Sequence, residues 1–410
     1  MIRRKSISLV AANLFLGVTL LASPAGAADA PPAAKAPAKG DVRRGWNVFV
    51  AKSCARCHAV FGHGGEVGPD LGRTHAGALT DAELAAALWN HIPRMWGKMK
   101  EERIPQVPIN EAEMADLFAY LSFVRAIDEP GDPDNGRRLL EEKRCATCHT
   151  VGDKSNGVGP DLRRWAHFRN PAVWAKLMFD HASQMVQAMR ARNIPQPSLS
   201  ASELVDIVSY IRSMSPTGEA ELLDPGDAAL GEKLFREKSC IQCHTVHGVG
   251  GKVGPELGRK GWETSFTGIA IKAWNSVEKM RAAMASRNIQ VPVLTPQEMA
   301  HVITYLFAAT YADEPGSPEK GAALLRDKGC VQCHGKGAGP DLDKYRNRAT
   351  PVTVAQALWM HGPTMLERMR DLEVRWPSLT GEEMRHVLAA LNVAPPESAG
   401  GTKDNKGETK

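Results

Sequence analysis

The stretch Cys54-Ala55-Arg56-Cys57-His58 contains two cysteines separated by two residues and followed at once by a histidine. The same pattern recurs at 145–149, 240–244 and 330–334. Successive first cysteines lie 91, 95 and 90 residues apart. A fixed spacing of this kind predicts one structural unit repeated four times. All 8 cysteines of the chain belong to these pairs, so none is left over for a disulfide framework.

Cys-x-x-Cys-His is the attachment signature of c-type haem. Its spacing lets two thiols add to the two vinyl groups at one edge of the porphyrin, while the adjacent histidine binds the iron. A thioredoxin-like redox motif would need a βαβ setting, whereas the flanking sequence is typical of helices. A zinc ribbon would pair two cysteine clusters at short separation. The sequence therefore predicts four covalently attached haem c groups, each with one iron. The predicted attachment residues are Cys54, Cys57, Cys145, Cys148, Cys240, Cys243, Cys330 and Cys333, and the predicted iron ligands are His58, His149, His244 and His334.

Other features recur in register with the cysteines. A glycine stands nine residues before each first cysteine and a large apolar residue five before it: Gly45, Gly136, Gly231 and Gly321, then Phe49, Leu140, Phe235 and Leu325. A Gly-Pro-x-Leu turn follows each motif, beginning at Gly68, Gly159, Gly254 and Gly339. The helix predicted next carries two methionines four residues apart, which places both on one face. These pairs are Met95/Met99, Met185/Met189, Met280/Met284 and Met365/Met369. Each unit closes with a periodic helix such as 111–124.

Each repeat resembles a class I cytochrome c domain in its glycine, apolar residue, Cys-x-x-Cys-His, Gly-Pro-x-Leu turn and terminal helix. The resemblance implies an all-α fold of four tandem domains, each a small helical bundle around one haem. We place these domains at 41–127, 136–215, 227–312 and 317–393. In the family, the loop proline carbonyl accepts a hydrogen bond from the iron-binding histidine, which here implies that role for Pro69, Pro160, Pro255 and Pro340. The family's packing of first helix on last helix also implies that Phe49 faces Tyr120.

The sixth iron ligand is where the chain departs from the family. Class I domains usually supply a methionine just before the last helix, but this chain has Ile104, Ile194, Ile289 and Val374 there. The upstream helix offers a histidine in three repeats, His91, His181 and His361, but Ser276 in the other. A histidine therefore cannot serve all four haems. We predict the second methionine of each pair, Met99, Met189, Met284 and Met369. The first methionine, the histidine and an open site stay as alternatives, and both methionines could instead be core residues.

The first 27 residues are typical of a secretory signal peptide. Arg3-Arg4-Lys5 precedes an apolar run, and Ala25-Gly26-Ala27 fits a cleavage site. The run is shorter than the roughly 20 residues that a spanning helix needs. We therefore expect cleavage after Ala27 and a periplasmic location. Residues 28–40 are expected to form an Ala/Pro-rich tether and residues 394–410 a disordered tail.

Composition excludes one large class of partner. The chain is 43% hydrophobic and 24% charged, with a formal net charge of +5. Three of the positive charges lie in the predicted signal peptide, which leaves about +2 for the rest. A nucleic-acid-binding protein would carry a much larger basic excess on one face. No such partner is expected.

Several recurring side chains fit structural roles. The acid after each loop proline, namely Asp70, Asp161, Glu256 and Asp341, is expected to cap a turn. Trp89, Trp274 and Trp359 are expected to fill haem pockets, and His91, His181 and His361 to be hydrogen-bonded near a haem propionate. We assign His63, His75, His167, His247, His301 and His386 to the surface, because we find no position that they share across all four repeats.

These features predict an exported tetrahaem c-type cytochrome that carries electrons between a redox protein donor and a redox protein acceptor. His/Met ligation would give its haems fairly high potentials. No small-molecule substrate and no enzymatic activity are expected. One alternative is a cytochrome subunit of a membrane respiratory complex. The other is a haem enzyme of the peroxidase or dehydrogenase type, with an open iron for which repeat three, containing Ser276, is the candidate.

Overall fold

The computed structural model describes residues 40–72, 79–152, 158–168, 171–214, 226–259, 265–335 and 337–393. The predicted signal peptide, the tether up to residue 39, His75 and the predicted tail at 394–410 lie outside the described residues. None of the helices within these ranges is long and apolar enough to cross a membrane.

The described chain is built from helices, as the all-α prediction requires. The helices of repeats one and two are α1 (Val42–Ala51), α2 (Asp81–Glu101), α3 (Glu111–Ala126), α4 (Pro133–Glu142), α5 (Pro171–Asp180), α6 (Ala182–Arg190) and α7 (Ala201–Ser213). Those of repeats three and four are α8 (Ala228–Glu237), α9 (Phe266–Asn275), α10 (Val277–Ala285), α11 (Pro296–Thr310), α12 (Pro318–Asp327), α13 (Cys330–Cys333), α14 (Pro351–Asp371) and α15 (Gly381–Asn392). Helix α13 begins at the first cysteine of repeat four. In repeats one to three a short 3₁₀ turn begins at the equivalent cysteine instead.

Two short hairpins follow the histidine in repeats one and three, which the helical prediction around the cysteines did not include. Strand β1 (Ala59–Val60) pairs with β2 (His63–Gly64), and β3 (Thr245–Val246) pairs with β4 (Val249–Gly250), both antiparallel. Each strand has only two residues. The hairpins therefore shape the turn after the histidine rather than form a sheet layer.

The last helix of every repeat begins with a capping box. Its N-cap side chain accepts a hydrogen bond from the backbone N–H three residues on, and the glutamate there returns a bond to the N-cap backbone. The four pairs are Asn110/Glu113, Ser200/Glu203, Thr295/Glu298 and Thr380/Glu383. This sequence signal sets where the last helix starts, and therefore how long the preceding loop is.

The first and last helices of each repeat cross at the recurring glycine. A Cβ atom added at Gly45 would lie 2.0 Å from the carbonyl oxygen of Asp116 in α3, so only glycine allows this approach. The same contact occurs at Gly136, Gly231 and Gly321. One turn further on, the rings of Phe49 and Tyr120 lie 5.5 Å apart. The facing pair implied by the resemblance is therefore present.

The middle helix has an irregularity at one place in every repeat. In repeats one and four it is continuous but contains Pro93 and Pro363. In repeats two and three it breaks between α5 and α6, at His181, and between α9 and α10, at Ser276. Proline has no N–H to donate four residues back, so Pro93 and Pro363 leave the carbonyls of residues 89 and 359 without their usual partner in the helix.

The repeats pack in two pairs that do not follow chain order. The described residues form one compact unit, and their buried side chains include two apolar clusters. One cluster joins repeats one and four, with Trp96 and Ile109 packed among residues such as Val352 and Leu379. The other joins repeats two and three and also includes Ala126 of repeat one. The apolar core of each half of the molecule is thus shared between two repeats.

Candidate haem sites

The four motif histidines share one hydrogen bond. The Nδ1 atom lies 3.0 Å from the Pro69 carbonyl oxygen in His58, 3.1 Å from that of Pro160 in His149, 3.0 Å from that of Pro255 in His244 and 2.9 Å from that of Pro340 in His334. A carbonyl oxygen can only accept, so Nδ1 carries the proton and Nε2 keeps its lone pair. The loop proline therefore selects the tautomer and orients the ring for binding a metal through Nε2.

The glycine before each proline makes room for this imidazole. A Cβ atom at Gly68 would lie 2.5 Å from Cε1 of His58, and one at Gly254 would lie 2.4 Å from Cε1 of His244. Gly159 and Gly339 meet their histidines in the same way. The Gly-Pro turn therefore holds the ring by two adjacent residues, with the glycine packed close to it and the proline carbonyl as acceptor.

The cysteine pairs are not joined as disulfides. Burial raises the pKa of Cys54, Cys145 and Cys240 to about 11, so these thiols are protonated at neutral pH. A reactive redox cysteine has instead a lowered pKa. No group of three or more potential ligands forms a metal cluster within the described ranges. The raised thiol pKa does not fit the thioredoxin-like alternative.

An apolar cavity adjoins the motif in repeats three and four. The repeat-three cavity is lined by Cys240, Cys243 and His244 together with Met280 and Met284. The repeat-four cavity has the corresponding five residues, Cys330, Cys333, His334, Met365 and Met369. An apolar space lined by two thiols, an oriented imidazole and thioether sulfurs matches a covalently attached haem.

Both methionines of each pair line these cavities, so the structure does not choose between them. The residues that replace the family's usual methionine lie nearby: Ile289 and Val374 also line the cavities. In repeats one and two the equivalent Ile104 and Ile194 are buried. The second methionine therefore stays a prediction as the sixth ligand.

The upstream histidines differ from one another. The ring of His91 lies 6.4 Å from the ring of His58, and burial together with the nearby His58 and Arg94 lowers its pKa. His361 and Ser276 line the repeat-four and repeat-three cavities. His181 is exposed and its Nδ1 donates to the Leu177 carbonyl at 2.8 Å. This position faces the cavity in every repeat where the lining is described, whichever side chain it carries.

The acids after the loop proline cap turns, as the sequence predicts. Asp70 accepts hydrogen bonds from the backbone N–H groups of Phe61 and Gly72 at 3.0 and 2.9 Å. Glu256 does the same for His247 and Gly258 at 2.8 and 2.9 Å. Asp161 and Asp341 cap the 3₁₀ turns that follow them. These carboxylates fix the loop that carries the proline carbonyl.

A lysine two residues before the first cysteine was missed by the sequence analysis. In every repeat its Nζ donates to a carbonyl of the loop before the last helix and pairs with the capping-box glutamate. Lys328, for example, lies 2.7 Å from Ser378 O and 2.7 Å from Glu383 Oε1. Lys238 and Lys328 also line the cavities. The equivalent residues are Lys52, Lys143, Lys238 and Lys328, a regularity visible in the sequence.

Two histidines assigned to the surface have a structural role. His301 Nδ1 accepts the backbone N–H of Asp227 at 2.7 Å, and His386 Nδ1 accepts that of Ser317 at 2.9 Å. Asp116 and Asp206 hold the same place in repeats one and two. The shared position was overlooked because its residue type changes from Asp to His. Of the others, His63, His167 and His247 are exposed, as predicted.

The predicted pocket-filling aromatics contact the neighbouring repeat. Trp89 of repeat one lines the cavity of repeat four, and its Nε1 donates to the Pro377 carbonyl at 2.7 Å. Phe179 of repeat two, at the equivalent position, lines the cavity of repeat three. Trp274 Nε1 donates to the Pro197 carbonyl of repeat two at 3.1 Å. Each described cavity therefore has a wall residue from another repeat.

Comparison with known proteins agrees with this geometry. The family model described as Cytochrome c matches residues 42–124, 133–215 and 228–309. A cytochrome c from Ginkgo biloba is 34% identical over 104 residues, which is 21% of this chain and 91% of the relative. No solved structure matches. The matched ranges cover the first three repeats, and the fourth has the same histidine–proline bond and cysteine spacing.

Proposed function

Because the chain belongs to the cytochrome c family, with that family's unit repeated in tandem, we propose that it is an exported tetrahaem electron carrier. Cytochrome c domains imply haem-based electron transfer. The observation that carries the number four is the His334–Pro340 hydrogen bond at 2.9 Å, which gives the fourth repeat the same prepared imidazole as the other three. Each repeat then holds one haem c through its two cysteines.

The residues of the site each have a defined task. The two cysteines of each repeat would anchor the haem, and the histidine, held by the proline carbonyl, would bind the iron through Nε2. The haem supplies an iron that changes between two oxidation states. The apolar lining would exclude water from it, and a methionine sulfur as sixth ligand would raise the reduction potential relative to a second histidine. Met99, Met189, Met284 and Met369 are proposed for that position.

A carrier suits these sites better than an enzyme. All four repeats place the Cys-x-x-Cys-His motif, the Gly-Pro turn and the methionine pair in the same order. The exchange of histidine for Ser276 in repeat three is a single departure from this pattern and does not by itself provide a substrate site. The proposed partners are therefore a redox protein donor and a redox protein acceptor in the periplasm, with no small-molecule substrate. Association with a membrane respiratory complex would use the same chemistry and differ only in the partner.

The experiment that tests the proposal is a haem count. The protein, expressed with its N-terminal segment and haem maturation, is converted to the pyridine haemochrome and compared with the protein concentration. We expect four covalently bound haems per chain. Cys330→Ala/Cys333→Ala is expected to leave three. A count of three in the parent, unchanged in this variant, would limit the proposal to the first three repeats.

The oxidised optical spectrum tests the ligands. Low-spin haems with the weak sulfur-to-iron charge-transfer band at the red end would support His/Met ligation. A high-spin fraction near one haem in four would contradict a pure carrier and indicate an open iron.

A further inference from the structure

We propose that the four haem sites form two structural pairs, site one with site four and site two with site three, in which each repeat closes the haem site of its partner. The closing residue is the aromatic side chain two positions before the His/Ser position of the middle helix. This inference rests on the proposed haem attachment and goes beyond it. It assigns Trp89 and Phe179 to haem sites in repeats other than their own.

The first support is the composition of the cavity walls. The repeat-four cavity is formed by residues of repeat four together with Trp89, and the repeat-three cavity by residues of repeat three together with Phe179. Trp89 and Phe179 are equivalent positions in repeats one and two. Their appearance in two separate cavities, each time in the partner's, indicates one arrangement used twice.

The second support is a reciprocal set of hydrogen bonds at the interface of repeats one and four. Trp89 Nε1 donates to Pro377 O at 2.7 Å, and Trp359 Nε1 donates to Val107 O at 2.9 Å. Both acceptors are in the loop that precedes the last helix of the other repeat. Each middle helix is therefore hydrogen-bonded to the loop before the last helix of the partner repeat. In class I domains this is the loop that usually supplies the sixth iron ligand.

The third support is the irregularity of the middle helix. Pro93 leaves the Trp89 carbonyl without an intrahelical donor, and Trp376 Nε1 of repeat four supplies one at 3.1 Å. Pro363 does the same for the Trp359 carbonyl, which accepts from Gln106 Nε2 of repeat one. Each proline thus leaves one helix carbonyl without a helix donor, and a side chain of the partner repeat donates a hydrogen bond to it. In an isolated repeat that carbonyl would have to be hydrogen-bonded to water.

The interface of repeats two and three repeats the pattern with one change. Gln196 Nε2 donates to Trp274 O at 2.9 Å, and Trp274 Nε1 donates to Pro197 O at 3.1 Å. Phe179 has no N–H group. Its carbonyl instead accepts Arg281 Nη2 at 3.2 Å, and the Arg281 guanidinium lies 5.7 Å from its ring centre.

Crossed haem deletion tests the assignment of Trp89. Trp89→Phe is chosen because Phe179 shows that the fold accepts phenylalanine at this position. The Soret circular dichroism of the holoprotein is recorded for Trp89→Phe and its parent in three backgrounds: the full chain, Cys54→Ala/Cys57→Ala without haem one, and Cys330→Ala/Cys333→Ala without haem four. Trp46→Phe, at an exposed tryptophan of repeat one, is the matched control.

We expect Trp89→Phe to change the Soret signal in the full chain and without haem one, and to lose its effect without haem four. The reverse dependence, or no effect in any background, would overturn the inference. The haem count separates this from failure of the proposed function, since a chain that attaches no haem has no Soret signal to compare.

Because a repeat that lacks its haem can unfold, a double-mutant cycle in the intact holoprotein gives a second measurement. Trp89→Phe is combined with Met369→Leu in site four and with Met99→Leu in site one, and the midpoint potentials are measured. We expect a non-additive shift with Met369→Leu and an additive one with Met99→Leu. Non-additivity with Met99→Leu alone would assign Trp89 to its own repeat and overturn the proposal.

Discussion

The indole N–H of Trp89 donates to the carbonyl oxygen of Pro377 at 2.7 Å, across 288 positions of the chain. This bond joins the first repeat to the last. Together with the Trp359–Val107 bond it makes the interface reciprocal, as in a dimer of two similar subunits. The first and last repeats of the chain are therefore in direct contact.

Gly68→Ala is expected to disrupt haem site one. The added Cβ atom would lie 2.5 Å from Cε1 of His58, so the imidazole must move away from the Pro69 carbonyl. We expect the haem count to fall from four towards three, or one haem in four to become high-spin. Haemochrome analysis and the oxidised spectrum measure this.

Gly97→Ala is the matched control, because nothing lies within 4 Å of a Cβ atom added there. Since Gly97 is inside α2, alanine is expected to stabilise the helix by up to about 1 kcal/mol. Equal haem loss in both variants would contradict the contact at Gly68.

Met99→Leu and Met95→Leu distinguish the two candidate sulfurs in repeat one. Leucine preserves apolar volume but cannot bind iron, so loss of the true ligand removes one haem's share of the charge-transfer band. We expect about a quarter of the band to disappear in Met99→Leu, together with a lower potential for one haem. Met95→Leu is expected to keep the full band. The opposite result would transfer the assignment to Met95 and its equivalents.

Asn275→Ala is expected to weaken the interface of repeats two and three. Asn275 Nδ2 donates to Leu199 O at 2.8 Å, and Leu199 N donates to Asn275 Oδ1 at 3.1 Å. Because Leu199 is buried, both backbone groups lose their partner. The expected cost is about 1–3 kcal/mol in the free energy of unfolding, measured by urea denaturation of the holoprotein. The exposed Asn47→Ala should change it by less than about 0.5 kcal/mol; similar values for the two would refute a role for the pair.

Asp116→Asn gives a test by pH. Burial would raise the pKa of this carboxylate, but hydrogen bonds from the Arg44 guanidinium and the Asp41 backbone N–H outweigh burial and lower it. A carboxylate whose pKa is lower in the folded state stabilises the fold at pH values above its unfolded-state pKa, which is near 4. That contribution is lost as the pH falls through the folded-state pKa. We expect a loss of about 1 kcal/mol at pH 7 that shrinks below pH 4.

The control for this pH dependence is Glu141→Gln, at an exposed carboxylate of α4. It removes one exposed carboxylate charge, and its unfolding free energy relative to the parent is measured over the same pH range for comparison. A constant difference between the parent and Asp116→Asn from pH 7 to pH 3 would disprove the stabilising ionisation.

Much of each site is visible in the sequence because it is local. His58 and Pro69 are 11 residues apart, and the family resemblance that these local motifs carry implies their hydrogen bond. Lys52 and its equivalents were missed because a lysine is common at surfaces, although its regular position was a usable signal. His301 and His386 were assigned to the surface because the aspartates at their position in the other repeats hid the shared role.

The sequence by itself determined the repeated all-α unit, and it predicts the chemistry of that unit: the attachment cysteines, the iron-binding histidines and the methionine face. These depend on covalent spacing and helical period, which act within about 80 residues of chain. Only the tertiary structure decided which repeats pair, and hence that Trp89 reaches the cavity of repeat four. Every repeat has an aromatic residue at the position equivalent to Trp89, so the sequence pattern would be the same whichever repeats paired. The pairing of the repeats depends on how their whole surfaces fit together. This fit includes two helix carbonyls that lack a helix donor because of a proline, and that accept hydrogen bonds from Trp376 and Gln106.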